Sequence, residues 1–355
     1  MSVTAAEGEK TLYLHIGLPK TATSYLQNLM GAHRGALREQ GAWLPSRPIF
    51  AHRLAVETLD DDNRARQADV QSIQRIELDE VWADIDAALA DDAVTSLILS
   101  SEYFSRGSAA QAKALIANRL GLPARIVVFL RRQDYLTESG YNQDIKAMGG
   151  RHPLRAPEYN ERLDWNLLLS DWAAAFGQEN IRAIGYDRAA RDGAVQRSFF
   201  EAVDAGHILD NGELETTGDR VNSSLPADLL EFKRLANMFG EFGLDKWLAG
   251  IAEAGEWAPK FRMSAELSEK YRALYADSNQ QVVDAYFGGD PSALALDEPA
   301  AAADRGVDFT NALPAETLGK LFAVHLKQTR RREKELRDRI AALEERLGIK
   351  YDPEA

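Results

Sequence analysis

Thr11-Leu-Tyr-Leu-His-Ile-Gly-Leu-Pro-Lys-Thr-Ala-Thr-Ser-Tyr-Leu-Gln27 constrains the fold of this chain more than any other stretch. Residues 11 to 16 are apolar or β-favouring, the pattern of a buried strand. Gly17 and Pro19 break the run, and an apolar helical pattern starts at Tyr25. A strand, a tight loop and a helix in that order aim backbone N–H groups at an anion, and the helix N-terminus adds the positive end of its dipole. Lys20, Thr21, Thr23 and Ser24 complete a cradle the size of a phosphate or sulfate group.

At 355 residues the chain is long enough for one large α/β domain, or for a domain with appendages. Its 42 basic and 55 acidic residues leave a net charge of −13. That balance argues against general nucleic-acid coating but allows a local basic pocket. Cysteine is absent, which removes disulfides, thiolate metal sites and a cysteine nucleophile. No apolar run approaches the roughly 18 residues of a spanning helix, and the first ten residues hold no apolar signal core. A soluble, cytoplasmic protein is the expectation.

Further strands are expected at 94–102, 124–130 and 180–186, with 43–48 as loop. Helices are expected at about 23–40, 78–89, 109–120, 133–146, 163–176, 193–205, 225–240 and 264–285. Strands alternating with helices indicate a parallel sheet with crossover helices. Residues 1–10 read as a polar tail, 11–287 as the α/β domain, 288–313 as a linker or arm, and 314–355 as a helical tail. In that tail Leu336, Ile340, Leu343 and Leu347 are spaced 4-3-4, as in a coiled coil. It is either a solvated helix packed on its own domain or a homodimer contact. Glu333, Glu335 and Asp338 interrupt its basic face and weaken a membrane-surface role.

The register of the first loop narrows the anion. The standard nucleotide loop is Gly-x-x-x-x-Gly-Lys-Ser/Thr. Counted from Gly17, the second glycine falls at 22, the lysine at 23 and the hydroxyl at 24. The chain has Ala22, Thr23 and Ser24, and its lysine is at 20. A lysine three places early reaches a bridging oxygen between two anionic groups, rather than the usual β- and γ-phosphates. The loop is P-loop-like but wrong for an ordinary ATPase or kinase.

Pro19-Lys20-Thr21-Ala22-Thr23-Ser24 resembles the Pro-Lys-Thr-Gly-Thr-Thr loop of sulfotransferases that use 3′-phosphoadenosine 5′-phosphosulfate (PAPS). The resemblance implies a P-loop NTPase-like three-layer parallel sheet flanked by helices, here followed by a long C-terminal helix. It also implies no essential metal, and in-line transfer of a sulfuryl group that leaves 3′-phosphoadenosine 5′-phosphate (PAP). In that family the loop binds the 5′-phosphosulfate, and its lysine contacts the bridging oxygen of the leaving group. Gly17, Pro19, Lys20, Thr21, Ala22, Thr23 and Ser24 take that place here. Ala22 stands where glycine is usual, and its backbone is expected at φ below zero.

The family also places an arginine at the end of a later strand and a serine eight residues on, both on the 3′-phosphate. Arg131 and Ser139 match, and the arginine fork suits bidentate phosphate binding. Arg132 is either a second phosphate ligand or a surface charge. Ser100-Ser-Glu-Tyr-Phe104 lies where carbohydrate sulfotransferases carry a Glu-Lys-…-Tyr-Phe segment, and residues 264–279, with Tyr275 and Asn279, resemble their last helix. Lys260 and Arg262 stand near a loop that supplies further basic contacts in the family, without its Lys-Gly-Arg pattern. Tyr186, at the end of the fourth strand, is assigned to the adenine side. Asn222, in Arg220-Val-Asn-Ser-Ser224, either bonds the base or belongs to the N-cap of the next helix. The resemblance covers most of residues 11–287.

Sulfuryl transfer asks the protein mainly for positioning and charge stabilisation. Lys20 is the candidate for the leaving-group charge. An acceptor hydroxyl needs a general base. Some sugar-modifying relatives use a glutamate eight places after the lysine; that position is Asn28, so the assignment does not transfer. Glu102, near the switch point of the sheet, is the candidate instead, set against a structural ion pair. His15 reads as a core histidine, and His52 has no assigned place. The expected acceptor is a hydroxyl of a carbohydrate or glycolipid. Two alternatives stand beside this reading. A Mg-dependent small-molecule P-loop kinase is opposed by the lysine register and by Arg131 with Ser139. A non-catalytic assembly protein that uses its C-terminal helix is opposed by the intact Lys20 and 3′-phosphate pair.

Overall fold

In the computed structural model, which describes residues 10–65, 69–209, 225–253, 257, 260–299 and 315–348, five strands form one parallel sheet. They are β1 (Thr11–Ile16), β2 (Ala42–Trp43), β3 (Ser96–Ser101), β4 (Ala124–Leu130) and β5 (Ile181–Gly185), in the order β2-β3-β1-β4-β5. β1 is central, and the crossovers run to one side of it for β2 and β3 and to the other for β4 and β5. Helices α1 (Thr23–Ala32), α2 (Arg34–Glu39) and α3 (Ile49–Val56) lie in the first two connections.

Alternation along the strands builds two cores, one on each face of the sheet. Leu12, Leu14 and Ile16 of β1 join Leu97 and Leu99 of β3 and Ile126, Val128 and Leu130 of β4 in the first. This face is covered by α3 and the helices Leu78–Leu89, Trp165–Phe176 and Ala276–Tyr286. Tyr13, Ile98, Val127 and Phe129 face the second core, with Leu26, Leu29 and Met30 of α1, Leu37 of α2 and Phe199 and Phe200. The result is the three-layer α/β architecture expected for a P-loop fold, with a long helix, Ala315–Leu347, at the C-terminal end.

The structure corrects the sequence reading in several places. The stretch from Trp43 begins with an edge strand, since Ala42 and Trp43 pair with Ser96 and Leu97; two residues are too short to show a period. The helix expected at 23–40 breaks at His33 (φ −106°, ψ 22°). Gly31 and Gly35 flank the break, and each weakens a helix by about 1 kcal/mol relative to alanine. The helix expected at 264–285 breaks at Tyr275 into Ala265–Leu274 and Ala276–Tyr286. Tyr186 does not end a strand; it opens the helix Tyr186–Arg191.

The chain divides into two compact units. Residues 1–140, 156–221 and 265–302 make the first, which holds the sheet. Residues 141–155, 222–264 and 303–355 make the second. Within the second unit, Arg234 pairs with Glu231 at 2.7 Å, and both are buried. Arg234 also donates to the Arg151 carbonyl at 2.8 Å. On the C-terminal helix Thr317 and Leu321 are buried, whereas Leu336, Ile340, Leu343 and Leu347 are each at least 50% exposed. The 4-3-4 stripe is therefore at least half open along the described helix. No helix among the described residues is long and apolar enough to cross a membrane.

The end of β5 makes a tight backbone contact. A Cβ on Gly185 would lie 1.6 Å from the Ala293 carbonyl oxygen. Backbone cannot yield as a side-chain tip can. Gly185→Ala is expected to cost about 3 kcal/mol, read as a melting temperature lower by roughly 5 °C or more; an unchanged melting temperature contradicts this packing.

Candidate functional site

The C-terminal ends of β1, β3, β4 and β5 carry the candidate residues, the location expected of a ligand site in an open parallel sheet. After β1 the chain turns through residues 17–22 into α1. The Gly17 N–H donates to the Ser101 carbonyl at 3.2 Å, and Ser105 Oγ donates to the Gly17 carbonyl at 3.0 Å. A Cβ on Gly17 would stand 2.5 Å from Thr23 Oγ1, so α1 can approach only a glycine. The Leu18 carbonyl accepts the hydroxyls of Thr21 (2.8 Å) and Thr23 (3.3 Å). These two buried threonines brace the loop from inside, while Pro19 and Lys20 are half-buried and Ser24 is exposed.

Lys20 and Ala22 both have φ of +63°. The expectation of a negative φ at Ala22 is therefore wrong: the alanine adopts the left-handed conformation that the usual glycine would, with ψ 18°. For a residue with a Cβ this costs about 1–2 kcal/mol, and such strain concentrates at ligand clamps. Left-handed residues alternating with ordinary ones turn successive N–H groups toward one concavity suited to an anion. α1 starts at Thr23 with no side-chain cap and no acidic residue in its first turn, so the positive end of its dipole is not offset there.

Arg131 follows β4 directly. Its Nη1 donates to the Lys20 carbonyl at 2.8 Å, its Nε pairs with Asp187 Oδ1 at 3.2 Å, and its guanidinium lies 5.1 Å from the Tyr186 ring centre. The structure thus joins three of the expected residues, Lys20, Arg131 and Tyr186. Two of the five guanidinium N–H donors are used in these bonds. Burial pushes the Asp187 carboxyl above its usual range, against the opposing pull of Arg131. Asp187 also accepts the Arg132 N–H at 2.9 Å. Nothing in the sequence reading marked Asp187; its place in the first turn of a helix after a strand was the available signal.

Arg132 takes neither role considered for it. It is 1% exposed, binds Asp134 through two bonds of 2.8 and 2.9 Å, and donates to the Ala295 carbonyl at 2.6 Å. It is an internal anchor. Ser139 lies half-buried in the second turn of the helix Gln133–Ala147, with no hydrogen bond to Arg131. Asn279 is buried and exchanges two 2.9 Å bonds with Gln133. Lys260 and Arg262 are exposed residues of the second unit. Asn222 lies outside the described residues.

On the other side of β1, Glu102 is half-buried just past β3. His52 of α3 places Nδ1 2.8 Å from Ser101 Oγ, and its ring meets Tyr103 edge-on at 5.6 Å. Burial lowers the His52 pKa, with Glu102 and Asp69 pulling the other way. The Tyr103 hydroxyl donates to Asp69. His15 is fully buried against Phe199, with Nδ1 2.8 Å from Ser100 Oγ, and desolvation lowers its pKa to about 4. It is a neutral core histidine, as expected.

No family model matches the chain, and no curated protein matches it. The fold has a likeness to the crystal structure of a sulfotransferase from Alicyclobacillus acidocaldarius, at 16% identity over 64% of this chain and 95% of that one. The TM-score is 0.38, an overlap too coarse to carry an argument about activity.

The left-handed backbone at Ala22 has a direct test. In an ordinary helical setting Ala→Gly costs about 1 kcal/mol. Ala22→Gly is expected instead to be neutral, or to stabilise by up to about 1 kcal/mol, because strain is relieved. A denaturant titration that gives a loss of about 1 kcal/mol contradicts the loop geometry.

Proposed function

We propose that this chain transfers a sulfuryl group from PAPS to an acceptor hydroxyl, of a carbohydrate or glycolipid, as a PAPS-dependent sulfotransferase. The observation that carries the reading is the 2.8 Å bond from Arg131 to the Lys20 carbonyl. The family resemblance implies that those two residues serve the two ends of one ligand, the 3′-phosphate and the 5′-phosphosulfate. An arginine seated against the loop suits a single molecule with anionic groups at both ends.

The residues fit such a ligand. Gly17, Pro19, Thr21, Ala22, Thr23 and Ser24 form the phosphosulfate loop, whose strained backbone and uncapped helix favour an anion. Arg131, with Ser139, is assigned to the 3′-phosphate, and Tyr186 to the nucleoside. When bound, the donor supplies a sulfuryl group: its S–O bond to the 5′-phosphate breaks as a bond to the acceptor oxygen forms. Lys20 meets the negative charge that develops on the leaving oxygen. Glu102 takes the proton of the acceptor hydroxyl. The bonds of Arg131 also favour a second role for it, as a brace that holds Lys20 in its left-handed conformation.

Lys20→Ala is expected to bind PAP within a few-fold of the natural protein, yet to lose about 100- to 1,000-fold in transfer. Turnover that survives this substitution sinks the role of Lys20. Arg131→Ala is expected to weaken PAP binding by about 10- to 100-fold, as loss of charge-assisted bonds does; an unchanged dissociation constant refutes that assignment.

A further inference from the structure

His52 has no part in the chemistry above, yet it sits beside Glu102. Its Nδ1 is 2.8 Å from Ser101 Oγ. Ser101 is fully buried, and its Oγ also accepts the Tyr103 N–H at 3.2 Å. Among the described residues, His52 Nδ1 is then the acceptor for the Ser101 hydroxyl proton. A buried hydroxyl without an acceptor costs about 1–3 kcal/mol, so the serine donates and the imidazole carries its own proton on Nε2. Burial, working against Glu102 and Asp69, keeps the ring neutral. Nε2 has no partner among the described residues, and it is not one of the sealed polar atoms. His52 therefore presents a neutral N–H donor rather than a base.

Strand order places His52 and its neighbours on one flank of the loop. The 3′-phosphate and nucleoside residues, Arg131 and Tyr186, follow β4 and β5 on one side of β1. Ser101, Glu102 and Ser105 follow β3 on the other, fastened to Gly17 at the start of the loop. If the nucleotide lies on the β4 side as proposed above, the β3 side is the flank left for the acceptor.

Resting on the sulfotransferase reading, we propose that His52 holds the acceptor: its Nε2–H donates to the acceptor hydroxyl oxygen and turns the hydroxyl proton toward Glu102. In the transfer, the acceptor oxygen bonds to sulfur and the S–O bond to the 5′-phosphate breaks with its electron pair. The hydroxyl proton passes to Glu102, and His52 keeps its own. The same donor selects the substrate class. A hydroxyl oxygen has lone pairs for an N–H, whereas an ammonium has none, so the site takes alcohols over amines that are protonated at neutral pH.

The test compares His52→Gln, whose amide keeps an N–H near the Nε2 position, with His52→Phe, which keeps the bulk alone. Three quantities are read on each: melting temperature, PAP affinity by calorimetry, and sulfate transfer from PAPS to water and to glucose in excess. Both variants remove the acceptor of the buried Ser101 hydroxyl, so both are expected to melt a few degrees lower and to a similar extent, and to bind PAP within two-fold of the natural protein. His52→Gln is expected to lose about 3- to 10-fold in transfer and His52→Phe about 100-fold. Full activity in His52→Phe overturns the proposal. So does an equal loss in both variants, which a base would give. So does a natural protein that binds PAP yet transfers to neither acceptor. A natural protein that does not bind PAP overturns the sulfotransferase reading instead.

Discussion

The site depends on one backbone constraint: Lys20 and Ala22 are both held left-handed between a strand that ends at Ile16 and a helix that begins at Thr23. Neither residue favours that conformation. The surroundings impose it. Thr21 and Thr23 fasten their hydroxyls to the Leu18 carbonyl, Gly17 admits Thr23 at a distance no Cβ allows, and Arg131 holds the Lys20 carbonyl. Each of these contacts fixes peptide orientation. Together they hold the short loop in one shape before any ligand arrives, so little ordering would remain to be done on binding the proposed anion.

The central place of β1 gives that concavity two unlike flanks. After β4 and β5 come Arg131, Tyr186 and Asp187, a cation held between an aromatic ring and a half-buried carboxyl. After β3 come Ser101, Glu102 and, from α3, His52. One flank offers charge to an anion, and the other offers a carboxylate and a neutral N–H. A donor with phosphates at two ends and an acceptor with a hydroxyl match this division of chemistry. The division follows from strand order alone, because the connections change direction at β1.

Much of this was legible in the sequence, for identifiable reasons. β1, β3, β4 and β5 each show an apolar run bounded by turn residues, and the crossover pattern made the sheet parallel. The family resemblance assigned Lys20 and Arg131 to one site, and Arg131 donates to the Lys20 carbonyl. Other features carried no local signal. β2 is two residues long. Arg132 looks like Arg131 in sequence, and only the partners Asp134 and Ala295 make it an internal anchor. The φ at Ala22 ran against residue preference, because contacts from Leu18, Thr23 and Arg131 outweigh the penalty. His52 and Asp187 belong to no motif. They reach the site through tertiary packing, which a single sequence does not display.

In the proposed reading the loop and Arg131 grip one molecule phosphorylated at both the 5′ and 3′ positions. Calorimetry of the natural protein with PAP, and with ADP plus Mg²⁺, tests it most directly. PAP is expected to bind at least about 10-fold more tightly, since the 3′-phosphate gains charge-assisted bonds worth more than about 1.4 kcal/mol. Equal or tighter binding of ADP with Mg²⁺ rules out a 3′-phosphate site at Arg131 and favours a kinase.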